Sequence, residues 1–177
     1  AAPVLEGDNP AIAALLARMK AQGTILDATT SLYSHLDAQA AADPGARRPL
    51  CSGPMSDALV RQAWKAGVEI AAGTDWVAPH DDPWPTLHHE LRALVRLGMP
   101  PLQVLRAATL GGARAAGQAA DMGVIEPGRL ANLIVTTRDP AADIANLETL
   151  ELTVKRGREY RRADFRPLTR EEMADIE

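Results

Sequence analysis

A carboxylate that follows an apolar run is the residue of this chain best placed to do chemistry. Residues 68–74 read Val-Glu-Ile-Ala-Ala-Gly-Thr, Asp75 comes next, and a loop rich in Pro and Asp then begins. Polar side chains at the carboxyl end of a buried parallel strand lie where ligands bind and reactions take place. Asp75 is therefore the first candidate for a functional residue. The alternative is that Asp75 only caps the following turn, since Asp is common in turns for local hydrogen-bonding reasons.

Two histidines with neighbouring carboxylates are further candidates. His80 is followed by Asp81 and Asp82 in the loop, and His35 with Asp37 follows an earlier predicted strand. Imidazole and carboxylate groups are metal ligands, so either group could contribute to a metal site. His80 is also a candidate to contact substrate. The alternative is that they are solvated loop residues.

Five residues near this loop have both a structural and a functional interpretation. His88 and His89 are adjacent, so on a helix they point about 100° apart and cannot chelate one ion, which favours a solvated or pocket-rim pair. Trp76 and Trp84 flank the loop and either pack at its rim or form a wall that contacts substrate. Glu90 either reaches the pocket and contacts substrate or caps and solvates its own helix.

Alternating helices and strands are predicted to position these residues. A helix begins at Asn9-Pro10 and ends at Gly23, and a second begins at Ser56 and ends at Gly67. Each precedes an apolar segment of strand character, at 24–33 and 68–74, and residues 38–54 are a loop or short helix. Two helix–strand units in succession predict an α/β fold with a parallel sheet.

The second half of the chain changes character near residue 119. Two more helices are predicted first, over 87–98 and from 100 to about 112. Strands follow at 132–137 and within 147–160, where a turn near residues 155–157 separates two short strands. The charged tail from residue 163 contains Thr169-Arg-Glu-Glu, whose spacing is that of a capping box at the start of a short helix.

Composition excludes several classes of protein. The 177 residues are 46% hydrophobic and 24% charged with a net charge of −4, a globular balance that favours neither nucleic acid nor an anionic membrane as partner. Cys51 is the single cysteine, so an internal disulfide is excluded. No apolar stretch approaches the roughly 20 residues that span a bilayer. The first residues lack the basic and apolar segments of a signal peptide and there is no initiator Met, so we expect a chain that starts within a fold or after processing; its compartment stays open.

Five stretches in a fixed order resemble the metal-dependent amidohydrolase superfamily, most closely its imidazolonepropionase- and prolidase-like branch. They are KAGVEIAAGTD (65–75), LHHEL (87–91), LGMPPLQVLRAAT (97–109), GVIEPGRLANLIV (123–135) and VKRG (154–157). The resemblance implies a (β/α)₈ barrel in which one or two metal ions, most often zinc, activate water to hydrolyse an amide-type bond. Asp75 matches the family's Asp at the end of the eighth strand, which is there a metal ligand and accepts the proton of the attacking water.

The resemblance also implies that this chain carries part of the barrel. Residues 1–118 match its last two βα units, residues 119–162 match the C-terminal part of a small β-sandwich domain, and 163–177 form a charged tail. The family's His-x-His pair, its Lys and its two later His ligands would all lie upstream. Asn132 replaces the Asp of the family's Ala-Asp-Leu motif, a structural position.

We therefore expect the C-terminal portion of an amidohydrolase that acts on a small or dipeptide-like substrate and is inactive by itself. Its complement would be an upstream barrel polypeptide or a second copy. The alternative is a non-catalytic fragment that associates with another chain through exposed sheet edges.

Overall fold

The first helix is formed as its capping residues predict. The computed structural model of this chain describes residues 9–43, 45, 51–77, 82, 84–166 and 169. Helix α1 (Pro10–Ala21) begins after Asn9, whose side-chain oxygen accepts hydrogen bonds from the amides of Ala11 and Ile12. Such a cap satisfies amides that have no partner within the helix.

The prediction of a strand over residues 24–33 is wrong after residue 27. Strand β1 (Ile25–Asp27) is short, and helix α2 (Thr30–Ala42) begins almost at once, after Thr29 in a left-handed conformation with φ of 41°. Residues 38–42, predicted as part of a loop or short helix, belong to the same helix. His35 and Asp37 consequently lie on a helix and not at the end of a strand.

The second helix–strand unit has the predicted order with shifted bounds. Helix α3 (Gly53–Ala66) begins before the predicted Ser56, because the hydroxyl of Ser52 accepts a hydrogen bond from the amide of Met55. It ends at Gly67, whose φ of 82° is left-handed, and strand β2 (Glu69–Ala71) follows. Strands β1 and β2 pair in parallel, so the predicted parallel arrangement is confirmed.

Three helical segments after β2 form the rest of the α/β part. Helix α4 (Thr86–Arg96) is followed by α5 (Pro101–Arg106), which continues through a π-helical turn (Ala107–Gly111) into α6 (Gly112–Ala115). Gly111 touches β2: a Cβ at this position would lie 2.6 Å from the carbonyl oxygen of Ile70. Absence of a side chain therefore lets the helix approach the strand.

An antiparallel three-stranded sheet makes up the C-terminal part. Its strands β3 (Leu133–Thr136), β4 (Leu150–Lys155) and β5 (Arg158–Arg161) lie in sequence order, with 3₁₀ helices at Ile144–Thr149 and Arg162–Asp164. Residues 147–149, predicted as strand, are therefore helical. Asn132 has the structural role expected of it, since its side-chain oxygen accepts a hydrogen bond from the amide of Arg156 in the β4–β5 turn. The capping box predicted at residue 169 falls mostly outside the described residues.

The core joins the helices to β2 and to the C-terminal part. Leu91 and Leu94 of α4 and Val104 of α5 are at most 2% exposed and pack in one cluster with Ile144 and Leu147 of the first 3₁₀ helix. Among the described residues, no helix combines the length and apolar character required to cross a membrane.

Candidate active site at the carboxyl edge of the parallel strands

Two carboxylates lie at the carboxyl ends of the parallel strands. Asp27 ends β1, and Asp75 follows β2 after a short segment in which Gly73 packs against the Asp27 carboxylate. Because parallel strands run in one direction, both residues lie at the same edge of the sheet. Asp75 is exposed, has a left-handed φ of 53°, and forms no hydrogen bond or ion pair within the part of the chain that the structure describes. A carboxylate without an internal partner at a strand end is available to bind an ion or a proton.

A complete metal site is not formed by the described residues alone. Within ranges 9–43, 51–77 and 84–166 and the single residues 45, 82 and 169, no three His, Cys, Asp or Glu side chains come together to hold an ion. Catalytic zinc normally takes three protein ligands. Asp75 could therefore supply one ligand of a site that needs others. His80 and Asp81 lie outside the described residues.

Trp76, next to Asp75, is the centre of an aromatic cluster. Its indole N–H donates a 3.1 Å hydrogen bond to the hydroxyl of Ser31, and its ring stacks on His35 with centroids 4.4 Å apart. The His89 ring lies tilted against it at 5.4 Å. The structure thus joins Trp76 and His35, which were predicted as separate candidates, on one side of helix α2.

Asp82 fixes the orientation of His89. The amide of Trp84 donates a 2.9 Å hydrogen bond to Oδ1 of Asp82. The other carboxylate oxygen, Oδ2, lies 2.8 Å from Nε2 of His89. The hydrogen bond from the Trp84 amide, followed by the contact with His89, lowers the pKa of Asp82. His89 therefore faces a carboxylate that is ionised at neutral pH.

These residues line a cleft of about 410 Å³ between α2 and α4, which we name the α2–α4 cleft. Its described lining consists of Ser31, Ser34, His35, Trp76, Asp82 and His89. Two arginines of α4, Arg92 and Arg96, complete it. A cavity of this size accommodates a small organic molecule.

Glu90 is placed behind this cleft and not within it. Its side chain is fully buried, and its oxygens accept hydrogen bonds from the amides of Thr30 (3.0 Å) and Ser31 (2.7 Å) at the first turn of α2. Desolvation raises the pKa of Glu90, and the amides of Ser31 and Thr30 act in the opposite direction. Glu90 therefore caps α2 and fixes the position of Ser31, whose hydroxyl accepts the hydrogen bond from the Trp76 indole. Its predicted contact with substrate stays a prediction.

His88 points away from His89, as their adjacent positions on a helix predict. It stacks on Trp84 with ring centroids 5.2 Å apart, and Arg162 lies over the same indole at 4.8 Å. Its Nδ1 is buried without a hydrogen-bond partner in the described structure. Desolvation, followed by the positive charge of Arg92, lowers the pKa of His88.

The sequence of residues 20–159 matches the family described as the amidohydrolase family. The chain belongs to that family. This confirms the resemblance seen in the sequence, and the solved structures similar to this amidohydrolase chain include prolidases. No curated protein matches the chain.

Solved structures extend the likeness to the fold. A Xaa-Pro dipeptidase with bound methionine is 30% identical with a TM-score of 0.71, over 81% of this chain and 36% of its own. The A. niger ochratoxinase is 29% identical with a TM-score of 0.65, over 86% and 35%. Molinate hydrolase is 28% identical with a TM-score of 0.55, over 77% and 32%. This chain therefore spans about a third of the length of these relatives.

Sequence reasoning did not identify Ser31, Arg92 or Arg96. Ser31 was assigned to a strand, which hid its place beside Trp76. The arginines carried a usable signal, because His89, Arg92 and Arg96 are spaced i, i+3 and i+7 and therefore share one face of α4.

Proposed function

We propose that this chain supplies the last two βα units and the C-terminal part of the β-sandwich to a metal-dependent amidohydrolase that cleaves amide-type C–N bonds. The observation that carries the proposal is the carboxylate of Asp75, which follows β2 and has no hydrogen-bond or ion-pair partner among the described residues, in a chain of the amidohydrolase family. Hydrolases among the similar solved structures support the reaction class.

Asp75 has two roles in this proposal. It is one ligand of a divalent metal, with zinc expected, and it accepts the proton of the attacking water. The metal supplies acidity, since a bound divalent ion lowers the pKa of water towards 7. The remaining ligands are proposed to come from the upstream part of the barrel, as the resemblance to the family implies, so by itself this chain should hydrolyse no dipeptide.

Three further residues are proposed to act on the substrate side. Trp76 lies next to Asp75 and offers an apolar ring edge, and His80 lies on the same loop by sequence. Glu90 acts indirectly, because it holds the Ser31 that binds the Trp76 indole. A small or dipeptide-like molecule is the substrate class proposed for this site.

The test of this function is Asp75→Asn in the protein that contains the complete barrel. Loss of a general base typically lowers the rate about 10²–10⁴-fold, and we expect such a loss of amide hydrolysis while much of the bound metal remains. Asp121→Asn, at an exposed carboxylate in a turn, is the control and should leave the rate unchanged. Unchanged turnover of Asp75→Asn across pH would contradict the proposed role.

Association with another chain is a second proposed role, compatible with the first. Strand β1 has only β2 beside it in the described structure, so its other edge lacks a neighbouring strand. The proposed complement is the upstream part of the barrel or a second copy of this chain.

A further inference from the structure

Some charged side chains around the α2–α4 cleft have a partner of opposite charge among the described residues, and one does not. Asp82 is engaged by His89 and by the Trp84 amide, and Arg92 forms an ion pair with Glu148. Arg96 also lines the cleft, is exposed, and has no ion-pair partner in the part of the chain that the structure describes. The cleft therefore presents a cation whose counter-charge is not supplied by those residues.

Around Arg96 the cleft offers both hydrogen-bonding and apolar groups. Ser31 and Ser34 line the α2 side, and the stacked rings of Trp76 and His35 form an aromatic wall. The guanidinium group binds carboxylates through two parallel N–H donors, and aromatic rings provide contact area for a planar apolar group. Among anions, this combination suits a carboxylate attached to a ring or other apolar group better than a small inorganic ion.

We propose that the α2–α4 cleft binds an organic carboxylate, with the carboxylate paired to Arg96 and the apolar part of the ligand against Trp76 and His35. Trp76 directly follows Asp75, so the cleft begins beside the candidate reacting centre. If this ligand is the substrate of the reaction, the substrate is an amide that carries a free carboxylate, and that interpretation rests on the proposed function.

Hippurate and its neutral amide, hippuramide, are a matched pair of probes that differ in the carboxylate. Titration of the purified chain, followed by the NMR signal of the Trp76 indole N–H, should detect hippurate at millimolar concentration. Hippuramide should bind at least about 10-fold more weakly, a difference equivalent to about 1.4 kcal/mol. Equal binding of the two probes would overturn the carboxylate assignment.

Arg96→Gln tests the residue that carries the inference. Affinity for hippurate should fall about 10-fold or more, and affinity for hippuramide should change little. Arg138→Gln removes an exposed arginine in the loop after β3, outside the cleft lining, and should leave both affinities unchanged. The inference is wrong if Arg96→Gln binds hippurate as the wild-type chain does.

Inorganic phosphate separates specific binding from attraction of any anion. We expect phosphate to bind more weakly than hippurate and to move the Trp76 signal little; equal binding would contradict the proposed ring–carboxylate site. These titrations need neither metal nor turnover. If Asp75→Asn loses hydrolysis but the wild-type chain does not bind hippurate, this inference alone is rejected. If the wild-type chain binds hippurate but Asp75→Asn stays active, the proposed function alone is rejected.

Discussion

At the scale of single residues, Glu90 links packing to the candidate site. Its carboxylate is a buried acceptor for two backbone amides of α2, and one of these belongs to Ser31, which also holds Trp76. A negatively charged acceptor at the amino end of a helix stabilises the helix, because the first amides there have no partner within it. This side chain therefore fixes both the start of α2 and the orientation of an aromatic residue in the cleft.

Glu90→Gln should destabilise the fold with little change in shape. A glutamine oxygen can accept from one amide, but its NH₂ group then faces the second amide, and a buried donor without a partner costs about 1–3 kcal/mol. Denaturant unfolding at pH 7 measures the change. Glu159→Gln, at an exposed position of β5, is the control and should stay within about 0.5 kcal/mol of the wild type. Equal stability of the two variants would show that the capping contact contributes nothing.

His88 makes the stability of the fold depend on pH. Burial and Arg92 hold its folded pKa below the ordinary value of 6.5, and Glu148 and Asp82 oppose this only in part. A lowered folded pKa means that the unfolded chain binds the proton first, so stability present above pH 6.5 is lost as pH falls through the folded pKa.

His88→Phe is expected to reduce this loss. Phenylalanine keeps the stack on Trp84 and removes the titrating group together with the unpaired Nδ1. The measurement is the difference in unfolding free energy between variant and wild type from pH 7.5 to pH 5, which should shift in favour of the variant on acidification. A difference that does not change with pH would contradict the assignment.

At the scale of elements, the sequence predicted what depends on local signals. Asn9, Gly23 and Gly67 mark helix ends through their own conformation and hydrogen bonding, and the helix ends predicted from them are within two residues of the observed ends, whereas the start predicted at Ser56 was wrong. The parallel pairing of β1 and β2 followed from two helix–strand units in succession.

The error at residues 28–33 has a non-local cause. Thr29, Thr30 and Tyr33 favour strands by composition, but the acceptor that starts the helix is Glu90, 60 residues away from Thr30. Helix initiation by a distant carboxylate leaves no local pattern in the sequence. The α2–α4 cleft was missed for the same reason, because Ser31 contributes to it only if α2 is a helix.

Gly111 tests the contact between the π-helical turn and β2. Alanine at this position would place its Cβ 2.6 Å from the Ile70 carbonyl oxygen, and backbone cannot move away as a flexible side chain can. We expect Gly111→Ala to reduce the free energy of unfolding by about 1–3 kcal/mol, which is measured as a lower melting temperature.

The neighbouring glycine is a matched control for this prediction. Gly112 has helical dihedral angles as Gly111 does, and a Cβ there meets its nearest atom at an ordinary 3.9 Å. Gly112→Ala should therefore stabilise by up to about 1 kcal/mol, as alanine does in a helix. Similar melting temperatures for the two variants would show that the close approach of Gly111 to β2 is unimportant.

At the scale of the whole molecule, parts of the apolar surface have no cover in the described structure. On the C-terminal part, Ile125 is 86% exposed, and Ile134 and Val135 of the edge strand β3 are 53% and 43% exposed. On the α/β part, β1 has an edge without a neighbouring strand, and Leu15 of α1 is exposed. Parallel sheets are normally covered on both faces, and an uncovered edge can pair with another chain.

The final prediction is that the isolated chain associates with itself through these surfaces. Burial of apolar area contributes about 25 cal/mol per Å², so several hundred Å² is comparable to the whole stability of a typical domain. Light scattering at micromolar concentration should report dimers or larger species.

Ile134→Lys and Val135→Lys, tested as separate variants, each place a positive charge on the β3 edge of every copy and should shift the population towards monomer if this edge takes part. Leu102→Lys, at an exposed apolar position of α5 outside the sheets, is the control and should leave the distribution unchanged. A wild-type chain that is monomeric and melts cooperatively at micromolar concentration would contradict the prediction, because it would mean that β1 and β3 are stable with one edge uncovered.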